Sequence, residues 1–176
     1  MIAYTKLKEI FREASLSSDI AGILHWDMST MMPPNSRNQR ADQLAYLSKL
    51  SHDKISSNEV RDLILKAKDE NLNQNDLHNL REIEREHKLT SSVPSELVQK
   101  ISRTAAKCEG EWQEARKNSN FNLIKKSLDE LINLTKEEAG ILGKEFNLSP
   151  YEALVNKFEP GLNTQLIANV FDDLQQ

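Results

Sequence analysis

An all-α fold, an array of about seven to eight helices, is what this sequence predicts from its periodicity. Apolar residues recur at steps of three and four through most of the chain. Only 5 Gly and 5 Pro are available to punctuate a sheet with tight turns, and 38% apolar against 28% charged residues suits amphipathic helices around a packed core. At 176 residues the length fits one domain, and residues 1–176 are read as a single helical domain.

Taken in order, Tyr4, Leu7, Phe11 and Ala14 are in helical step, and the pattern resumes at Ile20, Ile23 and Leu24. A bend around Ser15 to Ser18 would make two helices of this stretch; without it there is one. Met31-Met32-Pro33-Pro34 ends it, because proline lacks a donor and turns the residue before it away from helix. Leu44, Leu47, Ser48 and Ser51 mark a helix after Arg40. Val60, Leu63, Ile64 and Ala67 mark another after Ser56-Ser57-Asn58. Leu77, Leu80, Ile83 and His87 define a third amphipathic stretch between Asn73 and Leu89, its outer face dense in charge. Leu97, Ile101, Ala105, Cys108, Trp112 and Ala115 form a stripe entered at Pro94 and Ser95, where a fixed φ suits a first turn. The most regular stripe is Phe121, Ile124, Leu128, Leu131, Thr135, Ala139, Leu142 and Phe146. After the turn at Glu159-Pro160-Gly161, Asn163 or Thr164 caps a last helix carrying Leu166, Ile167, Val170, Phe171 and Leu174. No Gly, Asn or Pro closes that helix before Gln176.

Charge narrows the function. Lys and Arg number 23 against 27 Asp and Glu, a net −4 with no long basic cluster, which gives no electrostatic reason to expect nucleic acid as a partner. No run of about 18 apolar residues exists to cross a membrane, and Met1 to Glu13 is charged where a signal peptide would be apolar. One cysteine, Cys108, makes no internal disulfide and suits a reducing compartment, so a cytoplasmic protein is expected.

Two His at i and i+4 on one helix face, with a Glu beside them, would let both imidazoles reach one zinc while the Glu takes a proton from its water. No two of His25, His52, His78 and His87 have that spacing. Glu84-x-x-His87 offers two ligands from one helix, but a bundle metal site needs a second such pair, and His87 continues an apolar stripe as a core or rim side chain would. Cys108 has no histidine neighbour on its helix and reads as a buried, inert thiol. Trp112 and Arg116, one turn apart, either present an aromatic face and a guanidinium to a ligand or pack the indole beneath the Arg stem. The least generic chemistry lies from Leu24 to Pro34. There Trp26 and Asp27 precede the double proline, and Arg37 and Arg40 follow it. These four either ring a cleft edge or belong to a helix end where the Trp packs and the Asp pairs with loop amides or an arginine.

At these residues the chain resembles the carboxypeptidase Taq family of thermostable metallocarboxypeptidases. The family's Leu-x-Trp-Asp, Met-Pro and Arg-Ala elements are matched by Leu24-His25-Trp26-Asp27, Met32-Pro33-Pro34 and Arg40-Ala41, with Leu47, Leu50 and His52 continuing. Asn79-Leu80-Arg81-Glu82, Val93-Pro94-Ser95-Glu96-Leu97-Val98, Trp112-Gln113-Glu114-Ala115-Arg116, and Tyr151-Glu152-Ala153-Leu154 ahead of Phe158-Glu159-Pro160-Gly161 follow in the same order. Asn120 and Asn163 depart from it, standing where the family favours Asp and Thr. The resemblance implies the N-terminal portion of a larger all-helical metallopeptidase fold, and an enzyme that releases C-terminal residues from peptides with broad specificity, often as a homodimer. It implies zinc or cobalt in the complete enzyme and no cofactor held here, because the family's His-Glu-x-x-His, its downstream Glu ligand and its carboxylate-holding residues match beyond Gln176. No residue here is therefore assigned a catalytic or metal-binding role. The expected partner is a C-terminal catalytic part or a second copy, with peptide substrate met only in the complete enzyme. The alternative is a stand-alone helical interaction or self-association module.

Overall fold

The computed structural model describes residues 2–175, and every regular element among them is helical. In chain order these are α1 (Ile2–Thr30), a 3₁₀ turn (Pro34–Ser36), α2 (Arg37–Ile55), α3 (Asn58–Lys68), α4 (Gln74–Ser92), α5 (Ser95–Lys117), α6 (Asn122–Phe146), α7 (Pro150–Val155) and α8 (Thr164–Leu174). No helix among the described residues is long and apolar enough to cross a membrane. The chain forms two compact units, one ending at Leu134 and one beginning at Thr135, with the division falling inside α6.

The first unit is built on α1, which is one helix. Ser17 Oγ and Ser18 Oγ donate to the carbonyls of Glu13 and Ala14 at 3.3 and 3.4 Å, so the serines that suggested a bend satisfy themselves within an unbroken helix. Helix α1 packs along α2 and α3, and α2 in turn lies along α5. Tyr4 and Leu7 of α1 meet Val60, Leu63, Ile64 and Ala67 of α3 and Leu80 and Ile83 of α4 in one buried cluster. Burial pushes the Tyr4 hydroxyl above its ordinary pKa, while its oxygen accepts from Asn79 Nδ2 at 2.9 Å. A second cluster joins Met28, Ala41, Leu44 and Ala106, and a third joins Cys108, Ala115 and Ile124 with Leu128 and Leu131 against it. Cys108 is buried, as its stripe predicts.

Two histidines pin this unit together through backbone carbonyls. His52 Nε2 lies 2.7 Å from the Val93 carbonyl and His87 Nδ1 lies 2.7 Å from that of Ile55, so in each ring that nitrogen carries the proton. Ser57 and Asn73 cap α3 and α4, accepting from Val60 N and Asp76 N. Helix α5 ends on Ser119 at φ +48°, where Asn120 N donates back to the Ala115 carbonyl at 2.8 Å.

The second unit buries Ala139, Leu142 and Ala153 and is shaped by turns and caps. Helix α6 closes on Asn147 at φ +54°, and Leu148 N donates to the Gly143 carbonyl at 2.9 Å. A Cβ on Gly143 would stand 2.9 Å from the Leu148 carbonyl oxygen, so only glycine fits that closure. Ser149 and Glu152 form a reciprocal capping box on α7, the one helix the apolar pattern does not reveal. Glu152 also accepts from Thr164 N and Oγ1 at 3.3 and 3.0 Å, tying α7 to the first turn of α8. Asn163 caps α8 as predicted, yet none of that helix's residues is buried: Leu166, Val170, Phe171 and Leu174 are all exposed.

Candidate functional site

The four residues singled out around the double proline lie where α1 turns into α2, and they do not converge. Asp27 and Arg40 do meet: Arg40 Nη2 donates to Asp27 Oδ2 at 2.6 Å, Nη1 to the Leu24 carbonyl at 2.5 Å, and Nε to Gln43 Oε1 at 3.0 Å. Every guanidinium nitrogen is thus engaged, and the Arg40 side chain is only 12% exposed against 34% for Asp27. The positive group thus faces one α1 carbonyl, that of Leu24, and the Asp27 carboxylate, which offset its removal from water. Met31 N and Met32 N both donate to the Asp27 carbonyl at 2.9 Å, which lets α1 stop cleanly ahead of the prolines.

Arg37 goes elsewhere. Its Cδ would lie 3.1 Å from a Cβ on Gly110, so the stem crosses α5 at a glycine, and Nη2 reaches Glu114 Oε2 at 3.8 Å. Trp26 is 60% exposed and points away from this cluster. The reason is geometric: neighbours on a helix are about 100° apart, and Trp26 lies nearly opposite the buried Met28. A polar hollow of about 120 Å³ remains beside the ion pair, lined by Asp27, Met32, Ser36, Gln39, Arg40 and Gln43. Of these, Ser36, Gln39 and Gln43 have no place in the sequence reading; the two glutamines stand on α2 near Arg40, Gln43 three residues on, a spacing the sequence displays.

Other polar groups that could carry chemistry prove to be joints. Ser95 Oγ donates to Asp53 Oδ1 at 2.6 Å and receives a bond from Lys49 Nζ at 3.0 Å, an arrangement resembling an activated serine. The Lys49 ammonium bonds Asp53 Oδ2 at 2.6 Å, and that bond holds Lys49 above its ordinary pKa. A lysine kept charged takes no proton from Ser95, so the trio fastens the end of α2 to the start of α5. Glu84 is engaged by Lys68 Nζ at 2.5 Å, and His87 has spent Nδ1 on Ile55. Trp112 is 47% exposed, so its indole is not packed away; the Arg116 guanidinium stands 5.4 Å from the ring centre. Among the described residues no three of His, Cys, Asp and Glu are placed to hold a metal ion.

A helical framework whose charged residues join helix to helix is the class these features define. The chain belongs to the family described as carboxypeptidase Taq (M32) metallopeptidase, whose model matches residues 6–176. Thermostable carboxypeptidase 1 of Pyrococcus furiosus is 32% identical over 155 residues, covering 88% of this chain and 31% of that protein. Metallocarboxypeptidase 1 of Trypanosoma cruzi superposes with a TM-score of 0.78 at 29% identity, over 99% of this chain and 35% of that one. The solved structure "BsuCP Crystal Structure" has the same fold, with a TM-score of 0.90 at 24% identity over 99% of this chain and 35% of that one. The chain spans about a third of the length of the relatives it matches. The residues described here do not fit the family's metal, since the histidines are dispersed and two of them are committed to backbone carbonyls.

Proposed function

We propose that residues 1–176 act as one N-terminal scaffold and lid region of a metal-dependent carboxypeptidase that releases C-terminal amino acids from peptides. The single observation behind this reading is a family match across nearly the whole chain that covers only about a third of its relatives. Zinc or cobalt, the general base and the groups gripping the substrate's carboxylate would come from a C-terminal catalytic part, which is the partner this reading requires. The chain's own share is mechanical. The Asp27–Arg40 latch fixes the angle between α1 and α2, and Arg37 laid over Gly110 fixes α2 on α5, so the wall they form keeps its shape when substrate arrives. Purified chain supplied with zinc or cobalt should release no C-terminal residues from a peptide mixture, whereas co-expression with a catalytic part bearing His-Glu-x-x-His should restore release. Metal-dependent turnover by the chain alone would overturn the reading.

A stand-alone self-association module is the second reading, favoured by the apolar stripe of α8 with no buried member. Sedimentation separates the two: a dimer that ignores the catalytic part supports the second.

A further inference from the structure

Helix α1 is apolar on two nearly opposite faces. One carries Tyr4, Leu7, Ala14 and Met28 and is buried. The other carries Leu16, Ile20, Ile23 and Trp26, in steps of four, three and three, and these are between 48% and 65% exposed. The stripe runs about 15 Å along the helix. From Leu16 to Trp26 this arc carries one charge, Asp19, against four large apolar side chains, where the exposed face of a surface helix is ordinarily polar. In the middle stands Gly22, which weakens a helix interior by about 1 kcal/mol relative to alanine. Nothing among the described residues explains that glycine, since a Cβ there would meet none of their atoms within 4 Å. With Ser18, Asp19, Ile23 and Trp26 it lines an open groove of about 460 Å³. A bare notch flanked by an isoleucine and an indole is the form that admits close approach by another helix.

We propose that this outer face of α1 is the seam on which the catalytic part of the same enzyme docks, with Trp26 as its anchor and Gly22 as the notch that receives an apolar helix. The inference rests on the reading of the chain as the N-terminal region of a carboxypeptidase. The catalytic part is chosen over a second copy because the relatives carry about twice as much further chain as this one matches, and that further chain supplies an occupant in every molecule.

The test fuses this chain ahead of the C-terminal two-thirds of the Pyrococcus furiosus relative and compares the fusion with the isolated chain. Ile23→Cys, with Lys6→Cys as reference at an exposed position about 100° round the same helix, is labelled by a maleimide and read by peptide mass. The two sites should react at similar rates in the isolated chain, while in the fusion Ile23→Cys should be slowed about tenfold or more and Lys6→Cys left unchanged. As a second measurement, Ile20→Lys with Ile23→Lys should leave the isolated chain's melting temperature unmoved and lower that of the fusion. Equal labelling in both proteins, with a folded and active fusion, overturns the seam and leaves the N-terminal reading standing. A fusion that neither folds nor cleaves peptides overturns both. Protection already present in the isolated chain, with the mass of a dimer, assigns the face to a second copy and overturns the proposal.

Discussion

The residues up to Leu134 and those from Thr135 onward solve the same problem by different means. The first unit has side chains from several helices closing into buried clusters, with Leu7, Leu44 and Val60 essentially inaccessible. The second buries one large side chain, Leu142, beside Ala139 and Ala153, and leans more on chain closures: a left-handed Asn147, a glycine pressed on a carbonyl, a capping box, and Glu152 bonded to Thr164. Its last helix buries nothing. Side-chain burial stabilises by area removed from water, whereas caps and turns contribute through a few directed bonds. The two units should therefore answer differently to truncation, to strain and to salt.

The largest contrast is in truncation. Leu7→Ala removes a fully buried side chain from the α1–α3–α4 cluster and should cost about 2–5 kcal/mol. Phe171→Ala, on the exposed face of α8, should stay within about 0.5 kcal/mol in the isolated chain. Urea unfolding of both variants measures the difference; similar losses would mean that α8 is covered in solution. Next comes the latch, where Arg40→Met strands a one-third exposed Asp27 and should cost about 1–3 kcal/mol, less than a fully buried pair. Pairing it with Asp27→Asn should recover part of that loss, because the orphaned charge is then gone. Gly143→Ala tests the second unit's closures. Its new methyl would press on the Leu148 carbonyl, forcing the backbone to move at a cost of about 1–3 kcal/mol, seen as faster amide exchange at Leu148.

Much of this architecture is legible in the sequence. Helices α3 to α6 follow their apolar stripes, and Asn163 is readable as the cap of α8. Phe121 breaks the pattern: it precedes the first residue of α6 and is exposed, because the stripe's phase holds only once the helix has begun. Helix α7 is too short for periodicity to register, although Ser149-Pro150-Tyr151-Glu152 carries a capping-box signature. The left-handed Ser119 leaves no such mark, whereas Asn147, directly after the last residue of its stripe, is a side chain that tolerates the left-handed helix stop. At the candidate site, the Asp27–Arg40 pair is readable as one of two alternatives. Adjacency misleads for Trp26, because consecutive helical residues face different ways. What covers the outer face of α1 and the stripe of α8 is not encoded in local pattern, since an apolar stripe reads the same whether its partner lies within the chain or beyond it.

The smallest effect separates the units by the kind of charge that holds them. Asp53 is kept below the usual carboxylate range chiefly by the Lys49 ammonium and then by Ser95, and Glu152 chiefly by the Ser149 hydroxyl and then by Thr164. Each carboxylate therefore binds its proton more weakly folded than unfolded, so each contributes stability that is complete above the unfolded value of about 4 and fades as pH falls through the folded one. Asp53→Asn and Glu152→Gln should both be less stable than the parent at pH 7, and each gap should narrow between about pH 5 and pH 3. Salt tells them apart. The Asp53 contribution depends on a solvent-accessible cation and should shrink in about 1 M sodium chloride, while the Glu152 contribution depends on neutral donors and should persist. Thermal melts over pH at two salt concentrations measure both. A salt-insensitive gap at Asp53 would move the weight of that joint from Lys49 to Ser95, making the end of α2 and the start of α7 variants of one cap.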